Sequence, residues 1–249
     1  MPSRVSISQI EEGIFQVAIN DAEGQNRLSD ELAQELIAGL DALGREPLLK
    51  VALMTGRSDV FCAGRTLNLI KGLVTGEAAE SDCYTVQEKM LTLPAPIVGA
   101  LEGHAVGGGL VVALCCDVLV AAEERRYSMN FTDMGFTPGA GSTSLLPLLA
   151  GHHFASEMLM TAKYYKGRDL KHRGFFNEVV PAREVVPAAM DLCRRMAVKP
   201  KHVLELLKET LAAPKRKAIH DAMAREALMH QRCFSHPESI ARIEEAYVG

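Results

Sequence analysis

The 249-residue sequence has no excess of basic charge, no cysteine pairs at metal-ligand spacing and no long uninterrupted apolar run. Each absence excludes a class of protein. Net charge is -4 with Lys and Arg scattered along the chain, so there is no electrostatic footprint for nucleic acid. The six cysteines, at positions 62, 83, 115, 116, 193 and 233, lie mostly in apolar surroundings, which suits reduced thiols and gives neither a disulfide framework nor a zinc site. Residues 105–122, the longest apolar region, are interrupted by three glycines and Asp117, which argues against a membrane span. Met1-Pro2-Ser3-Arg4 leads straight into an alternating segment without the apolar run of a signal peptide, so a cytoplasmic protein with no membrane attachment is expected. A hydrophobic content of 48% and a charged content of 23% allow one large core domain or a domain with an appendage.

The chain is organised around Gly103-His104-Ala105-Val106-Gly107-Gly108-Gly109. Residues 97–101, entered from Pro94 and Pro96, read as a buried strand that delivers the chain to this turn. Residues 110–116 are apolar on every side, so the helix they form lies inside the protein and its start is buried. A buried helix start leaves N–H groups and the positive end of the helix dipole facing whatever lies ahead. Such a place suits a negative oxygen, either phosphate or enolate. The glycine spacing does not fit a dinucleotide fingerprint and no Gly-Lys-Ser/Thr follows, so the enolate is favoured. These residues alone leave open that the glycines only allow strand and helix to pack closely.

In order, residues 4–10 and 14–20 read as a hairpin, followed by a loop with Gly24 and Asn26. Ser29 caps a helix whose buried face is Leu32, Leu36, Leu40 and Leu43. A strand over 50–55 precedes Phe61-Cys62-Ala63-Gly64-Arg65, a second small-residue turn where N–H groups can be left for a ligand. Residues 71–82 are polar, contain Gly72 and Gly76, and predict a mobile loop. A helix over 84–93, strands over 117–122 and 127–129, and a long breaker-rich connection over 130–141 follow. From Val185 onward the pattern is helical, with separate helices expected over 201–211 and 215–234, divided at Pro214. The order strand, helix, strand around the glycine turn predicts an α/β spiral rather than a sandwich.

Phe61-Cys62-Ala63-Gly64, His104-Ala105-Val106-Gly107-Gly108-Gly109, Cys116-Asp117 and Pro138-Gly139-Ala140-Gly141, at these intervals, resemble the crotonase (enoyl-CoA hydratase/isomerase) superfamily. The resemblance covers nearly the whole chain. It implies an α/β fold with a ββα spiral core and active site over residues 1–196, and a helical trimerisation region over 197–249. It also implies an oxyanion hole formed by the backbone N–H groups of Arg65 and Gly108, with Ala63, Gly64, Gly107, Val111 and Phe131 around the substrate. Hydratases of the superfamily carry glutamates where this sequence has Val111 and Phe131. Neither side chain moves a proton, so hydration by a carboxylate pair is excluded.

Asn130-Phe131, 135–139, Lys199-Pro200, Leu207-Lys208, Ala213-Pro214 and Met229-His230 are similar to a narrower group, the decarboxylases of bacterial polyketide β-branching cassettes. That resemblance implies conversion of 3-methylglutaconyl to 3-methylcrotonyl on an acyl carrier protein or as a CoA thioester, by a homotrimer or dimer of trimers needing no cofactor and no metal. Two alternatives within the fold are a dehydratase or isomerase of the same pathway, and a silent subunit that binds acyl-thioesters.

His230 falls on the apolar stripe Ile219, Met223, Ala227, His230, Phe234 and titrates near neutrality. The residues alone leave open a core histidine bonded to a backbone carbonyl; the resemblance implies a functional one. It further implies a lysine in the loop after the first oxyanion turn, assigned to Lys71, with Lys89 as competitor and Tyr84 as helper. His104 is expected to brace its loop, Asp133 is a candidate base, and His152-His153 has no partner at metal spacing.

Overall fold

The computed structural model describes residues 3–248, with side chains for 3–246. Residues 1, 2 and 249, at the outer ends of the two expected regions, lie outside the described residues. The chain opens with an antiparallel hairpin, β1 (Val5–Glu11) and β2 (Ile14–Ile19), then α1 (Asp30–Gly44). Ser29 caps α1 by accepting from the Leu32 N–H at 3.2 Å, and Leu32, Leu36, Leu40 and Leu43 are its buried residues.

Two strands and a helical stretch then repeat. The first turn has β3 (Val51–Thr55), β4 (Val60–Cys62), α2 (Leu67–Thr75), a 3-10 helix (Glu80–Tyr84) and α3 (Thr85–Thr92). The second has β5 (Ile97–Leu101), β6 (His104–Val106) and α4 (Gly108–Leu114). The third has β7 (Val118–Ala122), β8 (Arg126–Ser128), and after a long connection α5 (Ser142–Ala150) and α6 (His152–Thr161). The strands sort into two sheets. With β9 (Tyr165–Lys166), α7 (Gly167–Leu170) and β10 (Glu178–Val180), the orders are β1-β2-β3-β5-β7-β10 and β4-β6-β8-β9. Neighbours from β2 to β10 run parallel, as do β4, β6 and β8.

A parallel sheet covered on both faces needs strands that are apolar throughout. In β3, Ala52 and Met54 face the main core, while Val51 and Leu53 face the apolar side of α8 (Ala182–Ala197), with Val185, Ala189 and Cys193. The main core also takes in Phe61 and Cys62 of β4, Ala105 of β6 and Tyr127 of β8, so the small sheet packs over the large one.

Two expectations are corrected. Of residues 71–82, expected as a mobile loop, 71–75 end α2 and 80–82 belong to the 3-10 helix, because Ile70 is buried and Leu67, Leu69, Leu73 and Val74 pack on the core. Residues 201–234 form one 34-residue helix, α9 (Lys201–Phe234), running through Pro214, and α10 (Pro237–Val248) follows. An internal proline forfeits one intrahelical bond and costs about 3 kcal/mol. Anchors on either side keep the helix continuous: the Lys208 ammonium lies 2.7 Å from the Asp117 carboxylate, and Lys215 donates to the carbonyls of Leu114 and Cys116. Both lysines grip the C-terminal end of the glycine-turn helix. Tertiary contacts therefore override the local break.

Candidate active site

Strand β4 ends in Ala63-Gly64-Arg65, and the loop after β2 fixes this turn. The fully buried Asn26 amide donates to the carbonyls of Val60 and Phe61 at 3.2 and 3.0 Å. Leu28 N–H donates to Gly64 carbonyl at 2.8 Å, and Thr66 N–H returns to Leu28 carbonyl at 3.2 Å. In a trans peptide the C=O and the following N–H point in opposite directions. Tying Gly64 C=O to Leu28 therefore turns the Arg65 N–H away from Leu28.

The second turn lies beside the first. Gly107 N–H donates to Ser128 carbonyl at 2.8 Å, and Gly107 carbonyl accepts from Leu110 and Val111, which closes the first turn of α4. Gly108 is the first residue of that helix, so its N–H has no intrahelical acceptor. A Cβ built on Gly64 would lie 3.8 Å from Gly108 N, which measures how near the two turns come. A Cβ on Gly109 would collide with the Cys62 carbonyl, so α4 packs on β4 only with glycine there. The Arg65 side chain lies over Gly108, and its guanidinium donates to Cys83 carbonyl at 2.6 Å. A cavity of about 350 Å³ lies on the α1 side of Arg65, lined by Ile37, Arg65, Leu69, Cys83, Val86 and Gln87 among others but by neither Gly64 nor Gly108.

The positions where hydratases carry acid and base are an apolar wall. Val111 is wholly buried, and Phe131 packs edge-on against Phe136 with ring centroids 5.9 Å apart. Phe136 in turn meets the His230 ring at 6.1 Å.

His230 projects from α9 and is 4% exposed. Its Nδ1 lies 2.7 Å from a Glu80 carboxylate oxygen and its Nε2 lies 2.8 Å from the Thr137 carbonyl oxygen. The ring stacks on Phe234 at 5.1 Å, and a Cβ on Gly139 would sit 2.6 Å from His230 Cε1. Glycine at 139 is what lets the connection approach the ring. Burial pulls the imidazole pKa down, but the hydrogen bond and charge of Glu80, helped by the Thr137 carbonyl, outweigh it and hold the ring above its ordinary value.

One turn before His230, the fully buried Glu226 binds the start of α5. It accepts from Gly141 N–H at 2.7 Å, Thr143 N–H at 2.9 Å, the Thr143 hydroxyl at 2.6 Å and the Tyr84 hydroxyl at 2.8 Å. Burial and the Glu226 charge push the Tyr84 phenol far up, so it stays a neutral donor. This network fixes α9, and with it His230, against the connection that carries Thr137 and Gly139.

Comparison with known proteins agrees with this geometry. Residues 9–247 match the enoyl-CoA hydratase/isomerase family. The chain belongs to that family. Within it, the chain is 34% identical over 249 residues to the bacillaene synthase decarboxylase PksI of Bacillus subtilis, covering 98% of each protein. It superimposes with a TM-score of 0.93 and 33% identity on a solved chain from a dehydratase/decarboxylase enzyme couple involved in polyketide β-branching, covering 99% of this chain and 100% of that one. The ECH2 decarboxylase domain of CurF from Lyngbya majuscula gives 0.90 and 27%, covering 98% and 100%. The chain is thus an enzyme of the crotonase superfamily and has its mixed α/β fold.

Among the residues picked out from the sequence, this hydratase/isomerase-family fold brings Ala63, Gly64, Arg65, Gly107 and Gly108 together, with Val111 at the base of the same helix. His230 lies behind Glu80. Lys71 is not brought in: it sits on the exposed side of α2, with its ammonium 3.1 Å from Glu244 of α10. The reason is helical phase, because Ile70 takes the buried face and turns the next residue outward. Lys89 pairs with Asp41 at 2.7 Å on the surface. His104 Nδ1 accepts from Arg126 N–H at 2.8 Å and braces the loop, as expected. Asp133 is exposed. Among the described residues, no three His, Cys, Asp or Glu side chains are grouped to hold a metal. Glu80 and Glu226 were not foreseen. Glu226 had a signal, lying four residues before His230 and seven after Ile219 on the apolar stripe; Glu80 had none within its polar segment.

Proposed function

We propose that this enzyme decarboxylates 3-methylglutaconyl held as a thioester on an acyl carrier protein, giving 3-methylcrotonyl, during polyketide β-branching. The observation that carries the reading is the close approach of two glycine turns, at Gly64 and Gly108, together with buried apolar side chains at Val111 and Phe131. The likeness to PksI and to the CurF decarboxylase domain supports it.

Loss of carbon dioxide breaks the bond between the carboxylate carbon and C4, and its electron pair runs through the double bond to the thioester oxygen. The resulting dienolate needs fixed donors at that oxygen, supplied here by the N–H groups of Arg65 and Gly108; removing one such donor typically costs about a hundredfold or more. Ala63, Gly64 and Gly107 shape the approach. Val111 and Phe131 keep water away and strengthen the electrostatics. His230 then delivers one proton to carbon, so the reaction releases one carbon dioxide and consumes one proton. We further propose a carrier protein or CoA as the thioester's handle, and a homotrimer or dimer of trimers as the working assembly.

Intact-protein mass spectrometry of 3-methylglutaconyl carrier protein incubated with the enzyme, beside a His230→Ala control, tests this. A product lighter by carbon dioxide, and far slower to form in the control, is expected. A product lighter only by water would replace the reading with a dehydratase. Unchanged substrate would favour a silent acyl-thioester-binding subunit, a second reading supported by the engagement of both His230 nitrogens by protein acceptors.

A further inference from the structure

The Thr137 carbonyl at His230 Nε2 can only accept, so Nε2 carries a hydrogen. A neutral ring would then present a bare Nδ1 lone pair to the Glu80 carboxylate oxygen 2.7 Å away. Two lone pairs at that distance repel, and one further proton between them turns the contact into a charge-assisted hydrogen bond. The ring cannot turn aside: Phe234 stacks on one face, Phe136 meets it edge-on and Gly139 closes on Cε1. Glu80 itself is partly open, with its side chain 26% exposed, while its second oxygen is buried without a hydrogen-bond partner. Its neighbours Ala79 and Asp82 line the cavity that also holds Arg65.

We propose that Glu80 is a positioning residue that keeps a second proton on His230, ready for each turnover. The proposal rests on the decarboxylation reading, which it deepens. In each cycle the imidazolium–carboxylate pair gives up this proton to the C4 carbon of the dienolate, forming a C–H bond and leaving a neutral imidazole whose Nε2–H still binds Thr137. A proton taken up from water then returns to Nδ1, where the charge of the Glu80 carboxylate holds it, and the imidazolium–carboxylate pair is regenerated. The balance is one proton taken from solvent for each carbon dioxide released.

The groups around the ring support the assignment. Glu80 faces it from the 3-10 helix, and Glu226 adds negative charge from α9, one turn before His230. The 130–141 connection contributes Thr137 carbonyl and Phe136, neither charged. The raised folded-state pKa has a defined sign. The pair stabilises the fold fully below the ordinary histidine value of about 6.5 and loses that contribution as pH rises through the higher folded value.

The test is a pH titration of the His230 imidazole by proton–nitrogen correlation NMR in the full-length enzyme and in Glu80→Gln, with His230→Ala assigning the signal. The glutamine variant is expected to titrate at least about one pH unit lower, a tenfold loss in proton affinity. In parallel, the high-pH fall of kcat/KM for carrier-bound substrate is expected to move down by the same amount with KM little changed. An unchanged titration midpoint overturns the proposal. If Glu80→Gln does not fold, Glu80→Asp carries the same measurement: a lowered midpoint supports it and an unchanged one overturns it. Because the titration needs no substrate, an enzyme that fails to release carbon dioxide would defeat the functional reading without altering this result.

Discussion

Replacing Glu226 by alanine removes the acceptor for four donors at once. Two of these are hydroxyls, on Tyr84 and Thr143, which can rotate toward other partners. The others are the backbone N–H groups of Gly141 and Thr143, which cannot. A buried donor left unsatisfied costs about 1–3 kcal/mol. Two give about 2–6 kcal/mol, and water reaching the half-buried Thr143 recovers part of it. The shortened side chain also leaves a void at the start of α5. We therefore expect a loss of about 4 kcal/mol, a large part of the roughly 5–15 kcal/mol that holds a domain folded.

Urea unfolding followed by far-ultraviolet circular dichroism measures this. With an m value near 3 kcal/mol/M, the midpoint should fall by more than about 1 M. Glu226→Gln should cost about half as much, because either amide orientation sets an NH2 against one of the two N–H groups. A fall below about 0.3 M for the alanine variant would refute the view that Glu226 holds α5 to α9.

Lys71→Ala should leave turnover within about twofold and stability within about 0.5 kcal/mol, since its partner Glu244 and the lysine are both about half exposed; a loss of a hundredfold in kcat would return Lys71 to the site. Gly139→Ala should lower kcat at least tenfold and melting temperature by several degrees, because the new methyl falls on His230 Cε1; steady-state kinetics with scanning calorimetry would show it, and a fully active variant would mean that the ring is free to move. Lys208→Met leaves Asp117 without its cation and should destabilise by about 3–5 kcal/mol in urea unfolding, whereas a loss under about 1 kcal/mol would show that the lysine does not hold α9 across Pro214.

Most of the scaffold was legible because it is written in apolar periodicity. The Ser29 cap and the four leucines of α1, the all-apolar strands and the glycine turn each follow from local chemistry that tertiary packing does not contradict. Departures came where packing outweighs a local signal. Pro214 marks a break that Lys208 and Lys215, on either side of it in α9, bridge by their bonds to Leu114, Cys116 and Asp117, and Gly72 sits inside a helix held by Ile70. The two glycine turns, at 63–65 and 107–109, could be placed from the sequence, but their assignment to an oxyanion came from the family resemblance, because glycine there serves close packing equally well. The surroundings of His230 could not, because Glu80 reaches it from a segment 150 residues away whose polarity looks like that of any surface loop. Lys71 shows the complementary limit. A residue's proximity in sequence to a turn says little about which face of the following helix it occupies.

In the proposed reaction a dienolate passes from loss of carbon dioxide to protonation on carbon within one site. Running the reaction on carrier-bound 3-methylglutaconyl in D2O and reading the product by mass spectrometry tests both halves together. The expected product is an acyl group that has lost carbon dioxide and gained one deuteron at the carbon that bore it. An acyl group that keeps its carboxylate, whether unchanged or dehydrated, would contradict it.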